Sequence, residues 1–271
     1  MTDDPLADAY NRGLAAEKAG NLDDAATAYG EVLRLDPADH GGAAIRLAAM
    51  GRGPVPDAAP EAYVATLFDQ NAAAFDDMLV EQLGYAVPML VRERLEALGL
   101  GPFPKLLDLG CGTGLTGASM TDLASDITGV DLSEQMLDEA HERGCYDSLY
   151  VGEAVAFLED EEARADGPWD MISATDVLPY LGALERFFDG ADQALNPGGL
   201  LVVSTETLPD QKLDGHDFLV GPKHRYGHAR GYLERVLSAS RFAVVDWQDI
   251  VVRYDEGQPV PGFLIAARSA V

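Results

Sequence analysis

The stretch Leu106–Gly117, LLDLGCGTGLTG, decides the fold. An apolar run ending at an acid, Asp108, passes directly into a loop with glycine at 110, 112, 114 and 117. A short apolar run bounded in this way reads as a buried strand. Glycines at that density let backbone N–H groups approach a ligand closely, because glycine adopts conformations that a Cβ forbids. Asp108 restricts the ligand: a carboxylate two residues before the first glycine repels a pyrophosphate and attracts a cationic amino group, directly or through water.

Outward from this loop, strand and helix patterns alternate. KLLDLG, DITGVDL, SLYVGE, WDMISATDV, GLLVVSTE, FAVVDWQDIVVRY and FLIAAR read as strands, with helical segments between the first six. Only DEGQPVPG separates Tyr254 from Phe263, so the last two strands pair as an antiparallel hairpin. The pattern predicts an α/β chain with a doubly wound, seven-stranded, mostly parallel sheet whose last strand is antiparallel. Ligands of such sheets sit at the carboxyl ends of the strands. Asp108 and Asp131 meet there, and Asp131 can accept hydrogen bonds from two ribose hydroxyls because both its oxygens are acceptors. Asp131 also flanks Ser133, which reads as a helix N-cap.

On these residues, and on the inserted seventh strand, the chain resembles the class I S-adenosylmethionine-dependent methyltransferases. S-adenosylmethionine carries an ammonium and a sulfonium but no phosphate, which suits Asp108. Gly112, Gly114 and Gly117 with Asp131 also satisfy the GxGxxG dinucleotide fingerprint, which a nicotinamide-dependent oxidoreductase would share. The acid ahead of the glycines and the remaining pattern favour the methyltransferase. The resemblance runs over about residues 61–268. It implies S-adenosylmethionine as cofactor, S-adenosylhomocysteine as product, and cofactor contacts from Asp108, Gly110, Cys111, Gly112 and Gly114. It further implies Asp131 on the ribose, Leu132 and Met136 along the adenine, Glu153 and Ala154 gripping the adenine, and Thr175 and Asp176 at the rim where the substrate side begins.

Methyl transfer asks mainly that a nucleophile be held in line with an activated methyl; a base is needed only when the acceptor must lose a proton early. The segment GPKHRYGHARGYLERVLSASRF resembles the RYxH-plus-helix insert of a bacterial methyltransferase group that often carries tetratricopeptide repeats. That resemblance places Arg225, Tyr226 and His228 on the acceptor side, with Tyr226 and His228 as catalytic candidates and His228 as the candidate base. Arg225, Tyr180 and Phe75 are the candidate acceptor-binding residues. Helices at 61–98 resemble the group's cofactor cover, which makes Tyr63, Phe68 and Phe75 lid candidates.

Residues 6–37 read as two amphipathic helices joined at Gly20-Asn21, and Gly13, Gly20, Ala25, Tyr29 and Pro37 fall at the spacing of one tetratricopeptide repeat. A second repeat begins at Ala43–Met50 and breaks at Gly51-Arg52-Gly53-Pro54. Repeat arrays need about three units to close a core, so the fragment is expected to pack on the main domain, a second copy of the chain or a protein partner. The domains expected are therefore 1–50, a linker at 51–60, and 61–271.

A net charge of −27 argues against bulk nucleic acid as a partner. No run approaches the roughly 20 apolar residues of a membrane span, and MTDDPLADAY lacks the features of a signal peptide. A cytoplasmic location without a membrane partner is the expectation. Cys111 and Cys145 have neither disulfide-framework nor metal-ligand spacing, so no metal is expected. The acceptor is read as a small molecule or a side chain of a partner protein. The competing reading from another class is a non-catalytic S-adenosylmethionine sensor with a protein-docking helical arm.

Overall fold

The computed structural model describes residues 4–270. Three helices come first: α1 (Pro5–Lys18), α2 (Leu22–Leu35) and α3 (Ala43–Ala49). The Asp4 side chain accepts from the backbone N–H groups of Leu6 and Ala7 and so caps α1. A Cβ on Gly13 would lie 2.6 Å from the Tyr29 ring, so glycine there lets α1 and α2 close on each other. Asp39 starts α3 by accepting from the N–H groups of Ala43 and Ala44. Instead of a fourth helix, the outer face of α3 meets the main domain: Ile45 and Ala48 pack with Ala59, Val64, Val220 and Tyr226. The half-finished repeat is thus covered by its own chain on that face.

Residues 51–60 connect the two parts but are pinned along their length. The Ala59 N–H donates to Tyr180 O at 2.8 Å, and the N–H groups of Gly182 and Ala183 donate to Asp57 O. After them come α4 (Glu61–Asp69), a 3-10 turn at Ala72–Ala74, a π turn at Asp77–Gln82 and α5 (Val87–Leu98).

The sheet is laid down by β1 (Phe103–Leu109), β2 (Ala124–Asp131), β3 (Ser148–Val151), β4 (Trp169–Ala174) and β5 (Leu195–Glu206). These run parallel in the order β3-β2-β1-β4-β5. Their connections carry α6 (Leu115–Met120), α7 (Glu134–Arg143), α8 (Ala154–Glu159) and α9 (Glu185–Ala194). After β5 come α10 (Asp210–Leu213), β6 (Phe218–Val220), β7 (Tyr226–His228), α11 (Arg230–Ala239), β8 (Ala243–Asp255) and β9 (Gln258–Arg268). β9 pairs antiparallel with β5, and β8 antiparallel with β9.

Consecutive strand residues serve opposite layers. Leu107, Leu109, Ile172, Leu201 and Val203 pack with Phe187, Phe188 and Leu233 on one face. Leu106, Met171, Leu200 and Val202 pack with Val91, Leu95 and Met120 on the other. Burial on both faces is why these strands are almost continuously apolar.

The seven expected strands are present, and two short ones add to them. β6 and β7 form a hairpin, and β7 touches β5 through the single parallel pair Glu206–Gly227. Glu206 also pairs with Gly262 of β9, while the last β4 partner of β5 is Val203, opposite Ala174. A strand has two edges, so β7 takes the edge that β4 vacates. The hairpin therefore stands at the carboxyl end of β4, above the rim where a ligand binds.

Candidate functional site

A cleft of about 600 Å³ opens at the carboxyl ends of β1, β2 and β4, within the usual range for small-molecule sites. Its floor is the glycine loop. Gly110 and Gly112 hold φ of +62° and +53°, left-handed values that a side chain would strain. A Cβ at Gly110 would run into Val177, whereas one at Gly112 would meet nothing and would occupy open space.

Asp131 is stitched to this loop. Its Oδ2 accepts from the Gly112 N–H at 2.8 Å and its Oδ1 from the Ser133 N–H at 2.9 Å. Burial raises its carboxyl above the usual range, and these backbone donors oppose the shift. Each oxygen keeps a further acceptor site, and the residue lines the cleft. Leu132, Glu153 and Ala154 line it beside Asp131. Glu153 is fixed by capping α8, accepting from the Ala156 N–H at 2.7 Å. Cys111, Gly110 and Gly112 also line the cleft, as do Thr175, Asp176, Tyr180 and Phe75. A carboxylate with a further acceptor site on each oxygen, beside a glycine floor that a Cβ would fill, suits the ribose diol of the nucleoside part of S-adenosylmethionine.

Three residues expected at the cofactor stand elsewhere. Asp108 is fully buried beneath the loop, not at the cleft wall: Oδ2 accepts from the Tyr146 hydroxyl and Oδ1 from Ser173 Oγ, each at 2.7 Å. Burial pushes its carboxyl up to about 6. It fastens β1 to β4 and to the turn before β3, and it does not line the cleft. Met136 is fully buried on the inner face of α7 and does not line the cleft. Gly114, at φ +91°, turns toward Arg143 and Tyr146.

The catalytic candidates are corrected in the same way. His228 and Tyr226 are fully buried in β7. His228 Nε2 faces the Leu181 carbonyl at 2.9 Å, and its Nδ1 faces Thr205 Oγ1 at 2.7 Å. A carbonyl only accepts, so the ring is the Nε2–H tautomer with Nδ1 accepting from the threonine hydroxyl. Burial holds its pKa down to about 4. Neither nitrogen is left for an acceptor. The Tyr226 hydroxyl donates to Pro56 O at 2.8 Å, tying the hairpin to residues 51–60. Both residues sit away from the cleft because three consecutive β7 residues are buried, a placement set by the hairpin pairing and not by residue type.

Arg225, expected to bind the acceptor, lies behind the cleft wall. It donates to Glu206 Oε1 and to the Tyr180 hydroxyl, each at 2.6 Å, and pairs with Asp176. Its guanidinium also sits 4.7 Å over the Tyr180 ring. Arg253 pairs with the same Glu206, so two buried guanidiniums face two carboxylates. Asp176 holds φ of +65°, and its N–H donates to Ser204 Oγ at 2.9 Å. Left-handed backbone at a residue other than glycine clusters at functional sites. Burial raises the Asp176 carboxyl, opposed by Arg225.

The lid residues divide. Phe68 and Phe75 line the cleft, their rings edge-on at 5.8 Å, and Phe68 meets Tyr180 at 5.4 Å. Tyr63 turns away, against Gly42. Two acids not singled out in the sequence hold this lid. Asp69 accepts from Ser133 Oγ at 2.6 Å, and Asp76 accepts from Thr113 Oγ1 at 2.5 Å and pairs with Arg143. The signal was there: Phe-Asp recurs at 68–69 and 75–76, seven residues or about two helical turns apart. Leu79 and Tyr85 complete this side of the cleft and carried no comparable signal. Among the described residues, no helix is long and apolar enough to cross a membrane.

A family model described as a methyltransferase domain matches residues 107–201, and one described as a tetratricopeptide repeat matches residues 7–39. The ubiquinone biosynthesis O-methyltransferase of Caulobacter sp. is 32% identical over 118 residues, covering 43% of this chain and 47% of that protein. The protein of the same name from Xanthomonas oryzae is 30% identical over 115 residues, covering 42% and 46%. The chain thus spans about half the length of the curated relatives it matches. Among solved structures, the N-methyltransferase NodS from Bradyrhizobium japonicum, in complex with S-adenosyl-L-homocysteine, superposes with a TM-score of 0.57 at 15% identity, covering 76% of this chain and 98% of that one. A SAM-dependent methyltransferase from Methanosarcina mazei gives 0.53 at 17% identity, covering 65% and 97%. At these identities the likeness is one of fold.

Proposed function

We propose that this chain, an S-adenosylmethionine-dependent methyltransferase with an N-terminal tetratricopeptide repeat, methylates a hydroxyl group of a small molecule held in the cleft. Bound S-adenosylmethionine supplies an electrophilic methyl group on a sulfonium. The protein's task is then to bind, orient and exclude water. Asp131 and the Gly110–Gly112 floor hold the nucleoside, Glu153 and Ala154 border the adenine, and Thr175 and Asp176 mark the passage to the acceptor side.

The observation that carries the choice of a small molecule is the roof. Asp69 and Asp76 fasten the lid to Ser133 and Thr113, on the two loops that bear the cofactor residues, and the β6–β7 hairpin stands at the end of β4. A side chain presented by a folded partner would have to pass both. The hydroxyl acceptor is carried over from the names of the curated relatives. Incubating the protein with S-adenosylmethionine and a library of hydroxylated metabolites, and following S-adenosylhomocysteine and the methyl ether by mass spectrometry, tests the reading. Product in equal amount to S-adenosylhomocysteine supports it. Methyl groups appearing only on protein in a proteome-wide incubation would contradict it, as would saturable cofactor binding with no methyl transfer in either experiment.

A further inference from the structure

We propose that Glu17, in the N-terminal repeat, is a positioning residue for the acceptor side of the cleft. It meets His224 in the turn of the β6–β7 hairpin, and the adjacent Arg225 holds Asp176 and Tyr180 at the cleft wall. The proposal rests on the methyltransferase reading above and adds that the repeat is a working part of the site it flanks.

The link begins in α1. Oε2 of Glu17 accepts from the Tyr29 hydroxyl at 2.6 Å and from the Arg46 guanidinium at 3.0 Å. These donors, on α2 and α3, fix the side chain, and Oε1 lies 3.6 Å from His224 Nε2. That nitrogen is buried, and among the described residues it has no hydrogen-bond partner. A buried polar group left unpaired is unfavourable. A carboxylate only accepts, so the Nε2–H tautomer is the one that Glu17 draws in. His224 holds φ of +60° and its N–H donates to Gly221 O at 3.0 Å, which makes it part of a tight turn.

Apolar packing runs beside this polar contact. Ile45, fully buried in α3, shares a cluster with Val220 and Tyr226 of the hairpin, and the cleft residues Phe68 and Tyr180 pack against that cluster. The repeat therefore backs the same wall from a second direction.

Past the turn, Arg225 donates to the Tyr180 hydroxyl and to Glu206, each at 2.6 Å, and pairs with Asp176. Asp176 and Tyr180 line the cleft. Neighbouring Cα atoms are tied about 3.8 Å apart, so a turn released at His224 loosens the guanidinium on which both residues depend.

The test is hydrogen–deuterium exchange of the full chain with S-adenosylhomocysteine bound, read by mass spectrometry. Glu17→Ala is expected to speed exchange about tenfold or more in 218–228 and in 176–183, with β1 and β2 as in the parent. S-adenosylhomocysteine affinity should stay within about threefold. Glu17→Gln keeps an oxygen for Tyr29 and Arg46 and offers an N–H to the other tautomer of His224, so it should restore parental exchange. His224→Asn withdraws the side chain and tolerates a left-handed backbone; it should loosen the same two segments, and it decides the matter if Glu17→Ala does not fold. In an Arg225→Gln background, Glu17→Ala should loosen 218–228 further but add nothing at 176–183. Asp4→Ala, which removes the α1 cap, should leave both segments as in the parent and so separates this link from a general weakening of the repeat.

Parental exchange at 176–183 in folded Glu17→Ala and His224→Asn would overturn the proposal. So would further loosening of 176–183 by Glu17→Ala in the Arg225→Gln background, or equal loosening by Asp4→Ala. Failure of S-adenosylhomocysteine to bind the parent would instead remove the methyltransferase reading on which the proposal stands.

Discussion

The Tyr146 hydroxyl donates to Asp108 over 2.7 Å behind the glycine loop, so the carboxylate before the glycines faces the protein interior and not the ligand. A Cβ on Gly117 would fall 2.5 Å from the Tyr146 ring, which makes the last glycine of the motif a seat for that ring. The motif's acid and its fourth glycine thus serve one internal contact.

Asp108 and His228 oppose each other in pH dependence. The Asp108 carboxyl, at about 6 when folded, lies above the unfolded value of about 3.9. The folded state therefore holds this proton more tightly, and the stability it confers below about pH 4 is lost as pH rises toward 6. His228, at about 4 when folded, lies below its unfolded value of about 6.5, so its contribution is present above that value and lost as pH falls toward 4. Each spans about two units, on the order of 3 kcal/mol. Urea unfolding between pH 4 and 6.5 should show a steeper rise of stability with pH in Asp108→Asn than in the parent, and a relative fall in His228→Gln. Slopes equal to the parent's in both variants would contradict these assignments.

His228→Ala should act on folding. It leaves the Leu181 carbonyl and the Thr205 hydroxyl without their partner in a buried setting, a loss of about 2–4 kcal/mol. At a temperature where the variant remains folded, S-adenosylhomocysteine affinity and turnover should stay within about threefold of the parent, a shift of well under 1 kcal/mol. A hundredfold loss of turnover in folded protein would return this histidine to the chemistry.

Two glycines of one loop should fail differently. Gly110→Ala places a methyl group against Val177 and strains a φ of +62°, so the melting temperature should fall. Gly112→Ala strains a φ of +53° but meets no protein atom, so its larger effect should be on cofactor affinity, about tenfold or more. Calorimetry and thermal unfolding of the pair check this, and a reversed order of the two effects would count against the placement of the cofactor over Gly112.

The lid should loosen when its carboxylates are removed. Asp69→Ala with Asp76→Ala deletes bonds to Ser133, Thr113 and Arg143. S-adenosylhomocysteine should then dissociate about tenfold or more faster in stopped-flow competition, since each charged hydrogen bond contributes about 1.5–3 kcal/mol. An unchanged off-rate would show that the lid does not retain the ligand.

Much of the fold was legible because the parallel strands are buried on both faces and so stand out as apolar runs, from Leu106–Leu109 to Leu200–Val203. The hairpin of β6 and β7 was not, since Phe218–Val220 and Tyr226–His228 are three residues each and carry no period. At the site, Asp131 was readable from its place at a strand end. The position of Asp108 was not, because the two donors that turn it inward, Tyr146 and Ser173, lie 38 and 65 residues away. Arg225 was found as a residue that matters near the acceptor, but its partners Asp176 and Glu206 come from the ends of β4 and β5. Only the assembled sheet shows that its charge is already taken.

On the function proposed above, Asp131 and not Asp108 holds the cofactor. Calorimetric titration of S-adenosylhomocysteine into the parent, Asp131→Asn and Asp108→Asn proteins, with NADH as the competing ligand, tests it most directly. Saturable S-adenosylhomocysteine binding is expected to weaken about tenfold to a hundredfold in Asp131→Asn and to change little in folded Asp108→Asn, with no NADH binding. Loss of binding in Asp108→Asn with retention in Asp131→Asn would contradict it, and so would NADH taking the cleft in place of S-adenosylhomocysteine.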